Sequence, residues 1–295
     1  AAHPFPGLRP FAYQDREFFF GRQDQIYALY RRIDRFRFLT VVGSSGSGKS
    51  SLVRAGLLPL LDDETCEAGG HNWVWCEMRP GDAPLSRLTD LLVSLSVDDD
   101  PMVASGRRDR IAAQLRRSSF GISEALAEAS SVTGKSVVLV IDQFEELFRY
   151  AAGGSDKTSL TAEEVRARDE ATQFVQLLLE ASRSPSNKTR VLLTMRSDFI
   201  GDCARFHGLP EAVCEAQFLT PSLTRDQLDE VIRKPIEKAG ATIDPQLVER
   251  LLNDCGTEMD QLPVLQHCLS RLWGEAGGRP AAKVDPSGPR QSAGE

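Results

Sequence analysis

The sequence predicts an α/β fold, a three-layer sandwich around a mostly parallel five-stranded sheet, followed by a small all-helical domain. Three observations carry this. From residue 37 to about 221, short apolar, β-branched runs alternate with helix-patterned stretches, the order that builds a parallel sheet with helices on both faces. One run, Val137–Ile141, is continuously apolar rather than alternating, as expected of a strand covered on both faces. From Arg225 onward every patterned stretch reads as helix.

The elements follow in order. Residues 4–20 are rich in Pro, Gly and aromatics and read as an extended, partly buried N-terminal segment. Ile26, Leu29, Tyr30 and Ile33 recur at helical spacing and predict a helix over Gln23–Arg35. Phe36–Val42 is a buried strand, and a helix runs from Lys49 to about Leu61 after a glycine-rich loop. Trp73–Met78 is a second strand, and Leu85–Leu95 carries a leucine stripe. Val97–Gly106, with its acidic triplet, reads as a polar loop, followed by helices at Arg107–Arg117 and Ile122–Ser131. Ala151–Thr161 is a loop, and Glu163–Ser182 is a long helix whose acidic start suits its dipole. Arg190–Met195 is a strand, Phe199–Phe206 a short helix and Ala216–Leu219 the last strand. Helices then cover 225–238, 245–254 and 259–275, the last with Leu262, Leu265, Leu269 and Leu272 in one seam. The domains are 1–36 (N-terminal segment and first helix, part of the α/β domain), 37–221 (the rest of it), 222–276 (a helical lid) and 277–295 (a flexible tail or linker).

Composition narrows the class. Hydrophobic residues at 41% against 26% charged supply a sizeable core and exclude a disordered chain. No apolar run reaches the roughly 18–20 residues that cross a bilayer, and no secretory signal opens the chain. Six cysteines without framework spacing point to a reducing, cytoplasmic compartment. The net charge of −7 argues against nucleic acid as a partner of the whole surface, leaving only a local basic patch. A first residue of Ala and a Gly/Pro/Ser-rich end suggest a piece of a longer protein.

The chemistry concentrates at three strand ends. Gly43-Ser44-Ser45-Gly46-Ser47-Gly48-Lys49-Ser50 fits G-x-x-x-x-G-K-[ST], a P-loop lying between a strand and a helix. Its glycines let backbone N–H groups curl around phosphate, and the helix start adds its positive dipole end. Lys49 reaches the β- and γ-phosphates of ATP, and the Ser50 hydroxyl binds Mg²⁺. Asp142, at the end of Val137–Ile141, supplies the second metal ligand. Glu145 and Glu146 are both candidates to orient or deprotonate the attacking water, with Glu146 slightly favoured. The plainer explanation of the two is a helix N-terminus that favours acids. Arg196 ends the Val191–Met195 strand, where a cation senses phosphate or stabilises transferred charge. The alternative is a surface pair with Asp198 or Asp202.

With these blocks in view, the chain resembles the STAND NTPases, multidomain signal-transduction ATPases related to the AAA+ group, and most of all their bacterial novel-STAND branch. The resemblance rests on Pro6-Gly7-Leu8-Arg9-Pro10-Phe11, Phe19-Phe20-Gly21-Arg22, the P-loop running into Ser51-Leu52-Val53-Arg54-Ala55-Gly56-Leu57-Leu58-Pro59, Asp142-Gln143-Phe144-Glu145-Glu146-Leu147-Phe148, Leu193-Thr194-Met195-Arg196-Ser197-Asp198-Phe199, and Gln261-Leu262-Pro263-Val264-Leu265-Gln266 with Leu272-Trp273. It implies that Ser51 belongs to the nucleotide-binding set and that Phe20, Gly21 and Arg22 line the adenine side. It implies that Pro263 contacts the base in a closed, ADP-bound state. Gln261 stands where the family commonly has Gly, and a first-turn proline also simply starts a helix, so both readings of Pro263 stay open. The resemblance further implies a slow ATPase in which ADP/ATP exchange controls conformation and self-association. Sensor and effector domains would be fused outside this chain, with an output in defence against phage or regulated cell death.

Weaker signals read as ordinary structure. Cys203, His207 and Cys214 lack a paired C-x2-C knuckle, as do Cys66, His71 and Cys76, so no metal centre is expected there. Cys255 and Cys268 fall on apolar helix faces. Arg107, Arg108, Arg110, Arg116 and Arg117 form a basic cluster, read first as a solvated helix face, with contact to a neighbouring subunit's nucleotide or to nucleic acid as the alternatives. Trp73, Trp75 and Trp273 read as core. Two other functions compete. An AAA+-like ATPase acting on nucleic acid would want a basic domain after residue 275, and nothing of that kind follows. A nucleotide-dependent assembly module with negligible turnover differs only in rate.

Overall fold

A computed structural model gives the fold, and residues 3–62, 73–95, 101–129, 134–152, 161–183, 188–255 and 261–276 are described. Strands β1 (Phe38–Gly43), β2 (Trp73–Met78), β3 (Ser136–Ile141), β4 (Thr189–Arg196) and β5 (Gln217–Leu219) form one sheet in the order β2-β3-β4-β1-β5. Every pairing is parallel, a sharper result than the mostly parallel sheet expected. Helix α1 (Gln23–Arg35) precedes β1. Parallel neighbours require crossovers, and these carry α2 (Lys49–Ser51, Leu52–Leu57 and Leu58–Asp62), α3 (Pro84–Ser94), α4 (Pro101–Arg117), α5 (Gly121–Glu128), α6 (Glu145–Ala152), α7 (Ala162–Arg183) and α8 (Leu209–Glu215).

Successive strand residues point to opposite faces, and here both faces are covered. Phe38 and Val42 of β1 join Leu139, Ile141, Leu193 and Met195 in one cluster, closed by side chains of α3 to α8. Leu39 and Val41 join Val138, Val140 and Leu192 in the other, closed by α1 and α2. This two-sided burial is why Val137–Ile141 lacks polar alternation. Trp73 lies in the second cluster, where Trp75 also packs with its ring 5.4 Å from Tyr13.

Three helices, α9 (Arg225–Lys238), α10 (Pro245–Asp254) and α11 (Leu262–Glu275), form a second unit with its own apolar cluster. Thr224 and Gln227 cap α9 reciprocally, and Asp244 caps α10 ahead of Pro245, whose missing N–H costs nothing in the first turn. The N-terminal segment reaches both units. Phe5 is buried in the helical cluster with its ring edge-on to Trp273 at 6.5 Å, while the Phe11 N–H donates to Ser51 Oγ at 3.1 Å beside the P-loop.

Several boundaries move. The polar loop expected over Val97–Gly106 gives way to helix from Pro101, a residue tolerated in a first turn. The helix expected over Ile122–Ser131 spans Gly121–Glu128, and the short helix expected over Phe199–Phe206 spans Ser197–Arg205 and is 3₁₀. Leu209–Glu215 is helical where no helix was expected. The middle of α2, Leu52–Leu57, is wound as π. The Leu58 N–H donates to the Val53 carbonyl, five residues back, which is the wider spacing of a π turn. Cys66, His71 and residues 277–295 lie outside the described residues, as do most of the 151–161 loop and the start of the 259–275 helix.

Candidate functional site

The strand register aligns the C-terminal ends along one sheet edge. Gly43 pairs with Arg196, Ile141 with Leu193, and Met78 with Ile141. The P-loop, Arg79, Asp142, Thr194 and Arg196 therefore meet at the edge where parallel sheets bind ligands. A cavity of about 480 Å³ opens there, within the usual range of small-molecule sites. One wall is polar, formed by Ser45, Gly46, Gly48, Lys49 and Ser50. The other is apolar, formed by Phe11, Phe18 and Phe20 of the N-terminal segment with Val231, Leu262 and Pro263 of the helical unit.

Gly48 takes φ +89 immediately before α2, a left-handed turn that suits glycine and folds the loop over the helix start. Lys49 Nζ donates to the Gly43 carbonyl at 3.0 Å and the Ser44 carbonyl at 2.6 Å. Burial lowers its pKa below the usual lysine value, while the nearby charges of Glu145 and Asp142 oppose that shift. Gly43, Ser44 and Ser47 face a second, smaller cavity of about 260 Å³ behind the loop. Ser51 lines the main cavity and also anchors the N-terminal segment through Phe11.

Arg22 lines both cavities. Its guanidinium donates to the Pro221 carbonyl at 2.6 Å and the Ser47 carbonyl at 3.0 Å, tying the P-loop to the connection between the two units. Burial pushes its pKa down to about 10. Gly21, with φ +77, passes so close to α9 that a Cβ would lie 2.7 Å from the Gln227 carbonyl oxygen.

Asp142 is buried at the base of the site. Its Oδ1 accepts from the Ser50 and Thr194 hydroxyls, both at 2.6 Å. Its Oδ2 accepts from Arg54 at 3.0 Å and Arg79 at 3.2 Å. A hydroxyl and a carboxylate oxygen in contact suit a hard cation such as Mg²⁺, which takes oxygen ligands. Gln143 follows with φ 55, its N–H donating to Thr194 Oγ1 at 3.0 Å. That turn sets the rotation of α6. Glu145 lines the cavity and accepts from the Arg196 N–H at 3.3 Å. Glu146 instead accepts from the Gly81 N–H at 3.0 Å, on the loop after β2.

Arg196 lines the cavity while ion-paired with Asp198; Asp202 pairs with Arg205. Its Nε is buried with no hydrogen-bond partner among the described residues. Pro263 sits both in the first turn of α11 and on the cavity wall, so the two readings of it describe one position. Gln261 precedes that helix without a side-chain cap bond.

Sequence reasoning did not single out Arg54, Arg79, Thr194 or Gln266. Arg79 and Thr194 sit at strand ends of the sheet edge, and that position is the signal that could have found them. Gln266 lines the apolar end of the cavity one helical turn after Pro263. The basic cluster is paired in part: Arg108 with Asp90 at 2.7 Å, Arg117 with Glu124 at 3.5 Å and Arg110 with Glu128 at 3.8 Å. Cys76 is core, its thiol pushed up to about 12 by burial, and Cys203 is buried 4.0 Å from Met195 Sδ. Among the described residues, no helix is long and apolar enough to cross a membrane.

Comparison with known proteins gives the fold its relatives. The structure resembles a Walker-type ATPase of Pyrococcus abyssi (TM-score 0.54, 12% identity, 92% of this chain and 75% of that one). It resembles the ORC2 protein of Aeropyrum pernix, solved as ADPNP–ADP complexes (TM-score 0.58, 15% identity, 88% and 64%). It also resembles the ORC1 protein of Aeropyrum pernix, solved in complex with DNA (TM-score 0.53, 12% identity, 88% and 62%). The chain therefore spans three quarters of the first and less than two thirds of the other two. Such low identities speak for the fold alone. No curated protein matches the chain. The model of the family described as Novel STAND NTPase 1 matches residues 4–285, from the N-terminal segment through both walls of the cavity, and the chain belongs to that family of P-loop NTPases.

Proposed function

We propose that this chain is the nucleotide-operated switch of a larger protein: it binds ATP and ADP, hydrolyses ATP slowly, and couples nucleotide state to the position of its helical unit. The observation that carries the reading is the composition of the cavity wall, P-loop on one side and Val231, Leu262 and Pro263 of the helical unit on the other. A nucleotide bridging both walls stabilises the closed arrangement by its differential affinity for closed and open forms, which is all a ligand can do to such an equilibrium.

In this reading the P-loop N–H groups and Lys49 hold the phosphates, and the ammonium leaves its loop carbonyls to do so. Ser50 and Asp142 hold Mg²⁺, which neutralises phosphate charge when bound. We assign the water-positioning role to Glu145 rather than Glu146, because Glu145 is the one that faces the cavity. Arg196 reads the terminal phosphate, exchanging Asp198 for it. Phe20, Gly21, Arg22 and Pro263 place the base between the two units. Opening of the helical unit on exchange to ATP exposes surface for self-association and releases fused effector domains. A cytoplasmic setting, in prokaryotic defence or regulated cell death, rests on the family resemblance alone.

The test is the nucleotide released on denaturing freshly purified protein. Near-stoichiometric ADP is expected from wild type and none from Lys49→Ala. An empty wild-type site that also fails to bind labelled ADP would overturn the reading.

A further inference from the structure

The two oxygens of Asp142, a residue only 1% exposed, meet different chemistry. Oδ1 faces two neutral hydroxyls, and Oδ2 faces two guanidinium groups. The charges can be paired off. Arg54 also donates through Nε to Glu77 Oε1 at 2.6 Å, so that pair cancels. Arg79 has no other ion pair among the described residues, so its charge stands against that of Asp142. The carboxylate that would hold a dication is already neutralised by the chain's own side chain. Coulomb attraction scales with the product of charges, so a neutralised carboxylate holds a divalent cation less tightly than a free one.

Arg79 is also placed to be displaced. It follows the end of β2, lines the cavity, and is 38% exposed, against 20% for Arg54. Its contact is with Oδ2, so the guanidinium does not block Oδ1, where only the neutral Ser50 and Thr194 hydroxyls would have to turn toward a metal. We propose that Arg79 is a built-in counter-ion of Asp142 that weakens divalent-cation binding and lets the site hold a nucleoside diphosphate without magnesium. A triphosphate brings one more anionic group with which to recruit the cation, and so outcompetes the guanidinium where a diphosphate does not. The inference rests on reading the cavity as a nucleotide site.

The test follows Mn²⁺ binding by electron paramagnetic resonance, without and with ADP, in wild type, Arg79→Gln and Arg79→Lys. Removing one full charge beside the carboxylate is expected to tighten Mn²⁺ binding about tenfold in Arg79→Gln, partly exposed charges being screened. Arg79→Lys, which keeps the charge, stays near wild type. Labelled ADP binds wild type with an affinity that changes less than about threefold between EDTA and excess magnesium, while Arg79→Gln gains about tenfold from the metal. Equal or weaker Mn²⁺ binding by folded Arg79→Gln overturns the proposal, as does ADP binding by wild type that requires magnesium. Failure of every form to bind ADP would instead refute the nucleotide reading, and the nucleotide-free Mn²⁺ comparison would still decide the role of Arg79.

Discussion

Gly21→Ala tests whether the helical unit closes the nucleotide cavity. At φ +77, a Cβ on residue 21 would sit 2.7 Å from the Gln227 carbonyl oxygen and 2.8 Å from Val231 Cγ2, both on α9. Two costs add. An L-residue held in the left-handed region loses about 1–2 kcal/mol, and overpacking adds about 1–3 kcal/mol. The carbonyl belongs to helix backbone and cannot rotate aside, so the sum of roughly 2–5 kcal/mol has two outlets. If the units stay docked, it lowers the thermal midpoint, by roughly 2–4 °C per kcal/mol and thus about 4–20 °C. If the helical unit withdraws, Val231, Leu262 and Pro263 leave the cavity and affinity for ADP falls, by about 30-fold or more at 1.4 kcal/mol per decade. Gly274→Ala is the control: it lies in α11, a Cβ there meets nothing within 4 Å, and alanine gains helix propensity of up to about 1 kcal/mol. Thermal unfolding and titration of a fluorescent ADP read both outlets. A Gly21→Ala protein within about 2 °C of wild type and within twofold in affinity would refute the steric argument and the coupling built on it.

Three further outcomes are expected. Glu145→Gln keeps ADP affinity within about threefold and slows phosphate release by about 100-fold, whereas Glu146→Gln keeps an amide oxygen that accepts from the Gly81 N–H, loses only the charge assistance of that bond, about 1 kcal/mol of stability or less, and keeps most turnover. Arg22→Met strands the Pro221 and Ser47 carbonyls; two charge-assisted bonds of about 1.5–3 kcal/mol each, less the relief of no longer burying a charge, leave a net fall in thermal midpoint. Burial raises the Cys76 thiol from its ordinary 9.0 to about 12, so the folded state keeps a proton that the unfolded chain has lost. Stability from this group falls as pH rises between about 9 and 12, by about 1 kcal/mol at pH 10, and Cys76→Ala flattens that alkaline limb in denaturant titrations. Arg22, lowered to about 10 from 12.5, acts with the opposite sign between those values, so the two variants separate its contribution.

The parts of this protein legible in the sequence are those that backbone geometry forces on neighbours in the chain. A loop that curls around phosphate needs small residues and a lysine at fixed spacing, and it stands at 43–50 where the motif put it. A strand buried on both faces needs unbroken apolar residues, and Val137–Ile141 shows them. What stayed hidden depends on rotation and on partners far along the chain. Adjacent glutamates differ by about 100° around a helix, and which of them meets the cavity is set by the Gln143 turn docking on Thr194, 51 residues away. The guanidinium groups on Asp142 come from 88 and 63 residues upstream. No local pattern announces them, since an arginine after a strand reads the same whether it meets solvent or a buried carboxylate. Yet the strand-end rule that located Asp142 and Arg196 applies equally to Arg79, because register in a parallel sheet carries every strand end to the same edge. Once the strands were assigned, each polar residue just past a strand end was already a candidate site residue, whether or not any motif named it.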